Sequence, residues 1–244
     1  MTKPQLIIQD YGGEHNKDLA KSRARLIRGG SWKHQRIITL IPSADMVSAK
    51  CAISWWNMAF PPNNGVVKWL ALGMEVGDAY STAIEQILAN PQLSEWEYLL
   101  CVEHDNVVPS DGAIRLVERM QEHPEFAAIG GLYWTKGEGG CAQIGGDPTD
   151  ATPNFRPQLP DPNGGLVECC GTGQGFTMFR LSMFKDPRLR KPWFVTQTKN
   201  GVSTQDLYFW SDARKYGYRA AIDCSVKVGH HDLRGDFGPA DMVW

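Results

Sequence analysis

Two carboxylates flank a single residue, directly after an apolar stretch near the middle of the chain. The stretch Tyr98–Val102 carries no charge and is followed by Glu103, His104 and Asp105. A short apolar run of this kind is typical of a strand that is buried on both faces of a parallel sheet. Acidic groups at the carboxyl end of such a strand lie where open α/β sheets bind ligands. Because neighbouring carboxylates repel each other, we expect a divalent cation beside them that holds a phosphorylated substrate.

The elements that position these carboxylates are predicted by the apolar pattern of the chain. Runs of apolar residues predict strands, and apolar residues at helical spacing predict the helices between them. The strands predicted in the first half are 36–41, 66–72, 98–102 and 126–132. We also predict a helix that is capped by Ser43 and runs to about Met58. Because strands and helices alternate, the pattern indicates a parallel sheet with right-handed crossovers.

The second half of the chain is predicted to be less regular. Residues 137–165 are rich in glycine, proline, aspartate and asparagine, which is typical of a long functional loop. Short strands are predicted on either side of the glycine-rich segment Gly171–Gly175. A helix is predicted to begin at Ser203 and to end before Gly217. The two flanking strands are 166–170 and 176–180, and two further strands are predicted at 219–223 and 226–228.

The composition bounds the class of protein. Of the 244 residues, 42% are hydrophobic and 21% are charged, and the formal net charge is -2, as in an ordinary globular protein. The six cysteines form no CxxC pair, which argues against a structural zinc site. No apolar run reaches the roughly 18 residues that a membrane span needs. Because the chain carries no signal-peptide pattern, we expect a reducing, cytoplasmic compartment.

Positive charge is concentrated in two segments. The first run has a single acid, Asp18, among the basic residues Lys17, Lys21, Arg23, Arg25, Arg28, Lys33 and Arg36. We interpret residues 1–35 as an irregular basic lead and 36–244 as one domain. A solvated arm is the simpler interpretation of the lead, and contact with a polyanion is the alternative. A second basic cluster that favours a polyanionic partner consists of Lys185, Arg188, Arg190 and Lys191.

Several motifs in a fixed order resemble those of GT-A fold glycosyltransferases, especially the family-two group. The matching segments are 36–42, the D-x-D-like 103–109, the glycine-rich 171–180, the acidic 203–218 and the terminal strand 223–230. The resemblance implies an α/β fold of GT-A type, with a mostly parallel, Rossmann-like central sheet flanked by helices and a smaller acceptor-side sheet. It divides the domain into a nucleotide-sugar-binding half, 36–135, and an acceptor-binding and catalytic half, 136–244.

The resemblance also implies a cation that holds a nucleotide-diphosphate sugar, with a UDP-sugar favoured. It assigns the cation to Asp105 and His230. His231 is the alternative, since adjacent residues in an extended segment point in opposite directions. Oxygen ligands suit Mg²⁺ or Mn²⁺, and an imidazole ligand favours Mn²⁺. The residues expected to bind the donor are Pro42, Ser43, Asp45, Glu103, His104 and Asp105, of which Glu103 stands where the family usually has aspartate.

The family's acidic base position is occupied by Asp206, preceded by Gln205 where the family usually has glutamate. A carboxylate within hydrogen-bond reach of the acceptor hydroxyl is an adequate general base, and direct displacement would invert the anomeric centre. The spacing Ser203-x-x-Asp206 is also that of a helix capping box. The residues expected to bind the acceptor are Trp134, Gly173, Gln174 and Gln205. Further tryptophans that are candidates for stacking on a sugar or a base are Trp55, Trp56 and Trp193.

The leading hypothesis is therefore a metal-dependent glycosyltransferase. The alternative is a catalytically inactive module on the same fold that binds a glycan or a nucleic acid. A nucleotidyltransferase ranks lower, because the chain lacks a glycine-rich opening with arginine and lysine after the first strand. The acceptor is either a glycan or a hydroxymethylated base in DNA, as in phage DNA-modifying glucosyltransferases. A duplex base would have to be flipped out, and binding to DNA would depend strongly on salt.

Overall fold

The fold is seen in a computed structural model of the chain. The structure describes residues 34–62, 65–135, 140–152, 154–196 and 204–231. Most of the predicted basic lead and Ser203 of the predicted capping box lie outside these ranges. No helix in these ranges is long and apolar enough to cross a membrane.

Strands and helices alternate through the first half and mix with short strands in the second. The strands are β1 (Ile37–Ser43), β2 (Val66–Leu72), β3 (Tyr98–Val102), β4 (Asn106–Val107), β5 (Ala128–Leu132), β6 (Ile144–Gly145), β7 (Leu166–Cys169), β8 (Gly171–Thr172), β9 (Phe176–Arg180), β10 (Ala220–Lys227) and β11 (Gly229–His230). The α-helices are α1 (Ala49–Trp56), α2 (Val76–Ala89), α3 (Gly112–Glu122) and α4 (Gln205–Ala213). Short 3-10 helices occupy Leu93–Glu95, Leu181–Lys185 and Arg214–Tyr216.

A seven-stranded sheet in the order β2-β1-β3-β9-β5-β10-β7 forms the centre of the molecule. β1 is parallel to β2 and β3, and β10 is parallel to β5. β9 lies between β3 and β5 and is antiparallel to both, while β7 is antiparallel to β10. Two small sheets pair β4 with β11 and β6 with β8. The mostly parallel α/β sheet predicted from the sequence is therefore confirmed.

Two details of the sequence prediction are wrong. The parallel sheet of the first half is interrupted, because β9 from the second half separates β3 from β5. Ser43 does not cap a helix, since pairing with β2 carries β1 through Pro42 to Ser43. Helix α1 begins later, and its cap is Ser48, whose hydroxyl accepts a hydrogen bond from the Lys50 N–H at 3.3 Å. Strand pairing has overridden the local preference of these residues.

Apolar side chains cover both faces of the sheet. One face packs α2 and α4 with a group of stacked and edge-on aromatic rings, which are Phe179, Phe184, Trp193, Phe194, Phe209 and Trp210. The other face packs α1 and α3. Every residue of β3 is buried, as the uninterrupted apolar run predicted. Because β1, β3, β5 and β10 run in one direction, their carboxyl ends meet at one edge of the sheet.

An ion pair between a partly exposed arginine and a buried carboxylate attaches helix α3 to the last long strand. Asp223 of β10 is 1% exposed and accepts a hydrogen bond from Arg119 Nε of α3 at 2.8 Å. Ser225 also donates to Asp223, from its backbone N–H at 2.9 Å and its hydroxyl at 2.6 Å. The hydrogen bond to Asp223 raises the pKa of Arg119. The pair therefore helps to fix the strand that leads to His230.

We expect Arg119→Met to destabilise the protein by about 3 kcal/mol, because it leaves the Asp223 carboxylate buried without its cation. Lys185→Met is the matched control, since it removes a cation from an exposed pair with Glu95, and such pairs contribute less than about 1 kcal/mol. Urea unfolding of both variants and the wild type measures the difference. Equal stability of the two variants would contradict a structural role for the Arg119–Asp223 pair.

Candidate functional site

A cavity of about 350 Å³ opens at the carboxyl ends of β1 and β3. It is lined by Pro42, Ser43, Ala44, Met74, Val76, Glu103, His104, Asp105 and Gln205. All but one of the residues expected to bind the donor line this cavity. The exception is Asp45, which is exposed and adopts a φ of 88° in the turn after β1. We refer to this space as the first cavity.

Asp105 and His230 meet at the edge of the sheet. His230 Nε2 lies 3.6 Å from Asp105 Oδ2, and His230 Nδ1 lies 2.7 Å from the backbone carbonyl oxygen of Trp134. A carbonyl oxygen only accepts hydrogen bonds, so Nδ1 carries a proton and Nε2 is the ring nitrogen that faces Asp105. The side chains of His230 and Asp105 are only 14% and 13% exposed. A histidine whose Nδ1–H is held by a carbonyl is oriented to bind a metal through an unprotonated Nε2.

Backbone pairing holds this histidine beside Asp105. In the small sheet of β4 and β11, His230 lies opposite Asn106. The Asn106 side chain donates to the carbonyl of Gly229 at 3.3 Å, and the His231 N–H donates to the carbonyl of Asp105 at 2.6 Å. Trp55, a candidate for stacking on substrate, donates its indole N–H to the Asn106 carbonyl at 3.1 Å and so supports this turn. The end of the described chain is thereby closed onto the acidic turn.

A second cavity, of about 210 Å³, adjoins the start of helix α4. It is lined by Ala142, Gln143, Ile144, Gly145, Phe155, Pro157, Gly171, Thr172, Gly173, Thr204, Asp206 and Leu207. Gln205 lines the first cavity, whereas its neighbours Thr204 and Asp206 line the second. The first turn of α4 therefore lies between the two cavities. Gln205 also approaches Glu103, with Nε2 and Oε1 3.5 Å apart.

The environment of Asp206 makes it a stronger base than an ordinary aspartate. Burial raises the pKa of Asp206, while hydrogen bonds from the Thr204 hydroxyl and the Leu207 N–H act in the opposite direction. A carboxylate with a raised pKa takes a proton from a hydroxyl more readily. Asp206 also lies in the first turn of α4, where the helix dipole favours an acid. The capping and proton-accepting roles are therefore compatible in this position.

The residues expected to bind the acceptor are separated by the structure. Gly173 lines the second cavity, but Gln205 lines the first. Trp134 lines neither of these cavities, and its backbone carbonyl orients His230. Gln174 is fully buried, and neither of its amide atoms has a hydrogen-bond partner among the described residues. Gly173 is therefore the residue of this group that shares a cavity with Asp206.

The other tryptophan candidates lie away from both cavities. Trp193 is 1% exposed and belongs to the aromatic core, where its ring packs edge-on against Phe184 at 5.8 Å. Trp56 is 84% exposed on helix α1. Neither lines the first or the second cavity, so stacking on a bound sugar is not supported by their positions.

The second basic cluster has local partners. Lys185 pairs with Glu95 at 2.9 Å and Arg188 pairs with Asp186 at 2.7 Å. The Arg190 guanidinium stacks over Tyr208, 3.4 Å from its ring centroid, and the Lys191 ammonium lies 4.5 Å from the centroid of Trp193. Because these charges are engaged within the protein, the cluster offers less attraction to a polyanion than its sequence indicates.

Sequence reasoning missed several residues of the two cavities. Met74 and Val76 follow the carboxyl end of β2, and Gln143 lies in the loop predicted to be functional. Tyr133, which contacts His230, directly follows β5 just as Glu103 directly follows β3. Its position after an apolar strand was the signal that could have identified it, since ligands bind beyond such strand ends.

Comparison with known proteins supports the fold alone. No family model and no curated protein matches the chain. Among solved structures, it is similar to the crystal structure of A197 from STIV, with a TM-score of 0.57 and 16% sequence identity. The similarity covers 81% of this chain and 86% of that chain. At this identity the two proteins share a fold, and any activity must be argued from the site itself.

We expect Thr204→Val to raise the pKa of Asp206 further, because it removes a hydroxyl that hydrogen-bonds to the charged carboxylate. Carbon-13 NMR of the Asp206 carboxyl group, followed through a pH titration, measures the change. Thr196→Val serves as the control, since that hydroxyl donates to Glu75 instead. An unchanged or lower pKa in Thr204→Val would show that the hydroxyl does not stabilise the Asp206 carboxylate.

Proposed function

We propose that the chain is a metal-dependent glycosyltransferase of GT-A type, which moves a sugar from a nucleotide-diphosphate donor to an acceptor hydroxyl. One observation carries the proposal. Asp105, whose carboxylate lies 3.6 Å from the His230 imidazole, lines the first cavity, and Asp206, a carboxylate with a raised pKa, lines the second cavity. The first arrangement suits a cation with a diphosphate, and the second suits a general base.

The Asp105–His230 pair fits Mn²⁺ or Mg²⁺. The proton on His230 Nδ1 is held by the Trp134 carbonyl, which leaves Nε2 available as a ligand on the side of Asp105. No group of three or more His, Cys, Asp or Glu side chains suited to a metal occurs in the described part of the chain. Two protein ligands are usual where substrate phosphates complete the coordination. The imidazole favours Mn²⁺, and the bound cation would stabilise the charge that develops on the departing diphosphate.

The first cavity fits the donor. Its volume of about 350 Å³ lies in the range of small-molecule sites. Apolar contacts are offered by Pro42 and Met74, and polar contacts by Ser43 and the Glu103 carboxylate. A carboxylate only accepts hydrogen bonds, so Glu103 would bind hydroxyl groups of the sugar or the ribose. A UDP-sugar is the favoured donor.

Asp206 is the proposed general base. An acceptor hydroxyl in the second cavity would donate its proton to the Asp206 carboxylate as its oxygen attacks the donor sugar. The adjacent Gln205 lines the first cavity, so the acceptor and donor spaces lie on either side of the first turn of α4. Attack from this side, with the diphosphate departing on the other, would invert the anomeric centre.

The second cavity favours a neutral acceptor. Its described lining includes the Asp206 carboxylate, the Phe155 ring and glycine backbone, and no lysine or arginine. A phosphate group placed there would be repelled by the carboxylate. A glycan hydroxyl is therefore favoured over a polyanionic acceptor, and DNA is retained as a competing acceptor in the assay.

We expect Asp105→Ala to weaken Mn²⁺-dependent binding of UDP by at least about tenfold, because a direct ligand contributes no less than the residues that orient it. Calorimetric titration of UDP with and without Mn²⁺ measures the effect. Asp45→Ala is the matched control, since Asp45 is an exposed acid just outside the first cavity. Unchanged Mn²⁺-dependent UDP binding by Asp105→Ala would show that Asp105 does not bind the cation.

We expect Asp206→Asn to keep donor binding but to lower kcat by about 100-fold, the scale of losing a general base. The wild-type rate should rise with pH as Asp206 loses its proton, with a midpoint above the ordinary aspartate pKa of about 3.9. Initial rates with UDP-sugars and glycan, lipid or DNA acceptors measure both effects. Asp212→Asn, in the same helix but bound to Lys215, is the control. Normal turnover by Asp206→Asn would leave that residue with only a helix-capping role.

A further inference from the structure

Tyr133 is a buried residue that contacts both parts of the candidate site. Its ring lies edge-on to the His230 ring, with centroids 5.6 Å apart and an interplanar angle of 87°. Its hydroxyl accepts a hydrogen bond from the Gly175 N–H at 3.1 Å. Its backbone carbonyl accepts one from the N–H of Gln143, a lining residue of the second cavity, at 2.9 Å. One side chain therefore touches the proposed cation ligand and the glycine-rich segment.

Tyr133 leaves no room for a side chain at two positions of this segment, so both must be glycine. A Cβ atom on Gly173 would lie 2.0 Å from the Tyr133 hydroxyl oxygen, and one on Gly175 would lie 2.7 Å from ring atom Cζ. No side chain tolerates such distances without displacement of the ring or the backbone. The third glycine, Gly171, is required by Trp210, which would lie 2.8 Å from its Cβ. Close packing on aromatic rings therefore accounts for this glycine spacing.

Gly175 is also connected to the first cavity by a hydrogen bond. Its carbonyl accepts a hydrogen bond from the Glu103 N–H at 3.1 Å, and Glu103 lines that cavity. A shift of Gly175 would therefore move Glu103 as well as the wall of the second cavity. Burial, together with the charges of Glu103, Asp206 and Asp105, raises the pKa of Tyr133 well above its usual value. The hydroxyl thus stays neutral and keeps its hydrogen bond to Gly175 at working pH.

We propose that Tyr133 is a positioning residue that sets the spacing between the His230 imidazole and the Gly173–Gly175 segment. Its ring fixes the closest approach of the two, and its hydroxyl prevents their separation. The inference rests on the proposed function, because it treats His230 as a cation ligand and the second cavity as the acceptor space. Tyr133 acts through these neighbours and need not touch the substrate.

Tyr133→Phe tests the hydroxyl while it keeps the ring. We expect Mn²⁺–UDP affinity to stay within about threefold, because the Trp134 carbonyl still orients His230. We expect kcat for sugar transfer or donor hydrolysis to fall by about tenfold or more, since small misplacements of reacting groups are costly. The Gly175 amide should exchange its proton at least about tenfold faster, because it loses its acceptor.

Tyr98→Phe is the matched control. Tyr98 is also buried, and it begins β3 at the end opposite to Glu103. We expect this variant to keep wild-type kcat, Mn²⁺–UDP affinity and Gly175 exchange. A variant that merely loses stability would lower all activities in step with its folded fraction, whereas the positioning role predicts a lower kcat with donor affinity retained.

The outcomes separate this inference from the proposed function. A wild-type protein that neither binds Mn²⁺–UDP nor consumes any donor overturns the proposed function and the inference with it. An active wild type with unchanged kcat in Tyr133→Phe overturns the inference alone. A Gly175 amide that exchanges freely in the wild type also overturns it, whether or not the variant folds. Reduced kcat, retained affinity and faster Gly175 exchange in Tyr133→Phe alone support it.

Discussion

The candidate site depends on the pairing of β11 with β4, because that pairing closes the chain onto the acidic turn after β3. Hydrogen bonds between the segments 229–231 and 105–107 place an imidazole within 3.6 Å of the Asp105 carboxylate. The segment is short and its bonds are few, and the strand that leads into it, β10, is held by the ion pair of Asp223 with Arg119. Without this closure, Asp105 would be a surface acid at a strand end.

Negative charge is concentrated where the strands end. The carboxylates of Glu103, Asp105 and Asp206 all raise the pKa of Tyr133, so all three act on one small region. This concentration of negative charge favours a bound cation, and it disfavours an anion that does not bring one. The Trp134 carbonyl orients the His230 ring so that Nε2 faces Asp105, and an unprotonated Nε2 would be a ligand for a cation bound there. This balance of charge is the physical basis for the proposed donor, a diphosphate bound through a metal.

Packing and chemistry are combined in the glycine-rich segment. Glycines such as those of Gly171–Gly175 allow another group to approach the backbone closely. In the structure the close approach is made by the rings of Trp210 and Tyr133. Since the rings leave no room for a side chain at Gly171 and Gly173, these two residues line the second cavity with backbone atoms alone. Gln174, between two such glycines, is buried with its amide atoms unpaired in the described structure.

Local patterns in the amino-acid sequence predicted the order and type of most elements, and they placed Glu103 and Asp105 at the end of a buried strand. Such features depend on local apolar periodicity and turn residues, as in β3 and in the end of the Arg214–Tyr216 turn at Gly217, whose φ is 83°. Three further relations are seen only in the folded chain: β9 separates β3 from β5, the His230 ring faces Asp105, and Gln205 and Asp206 line different cavities. These relations join residues that are distant along the chain. They are set by strand register and by the close packing of rings against backbone, which no local pattern encodes.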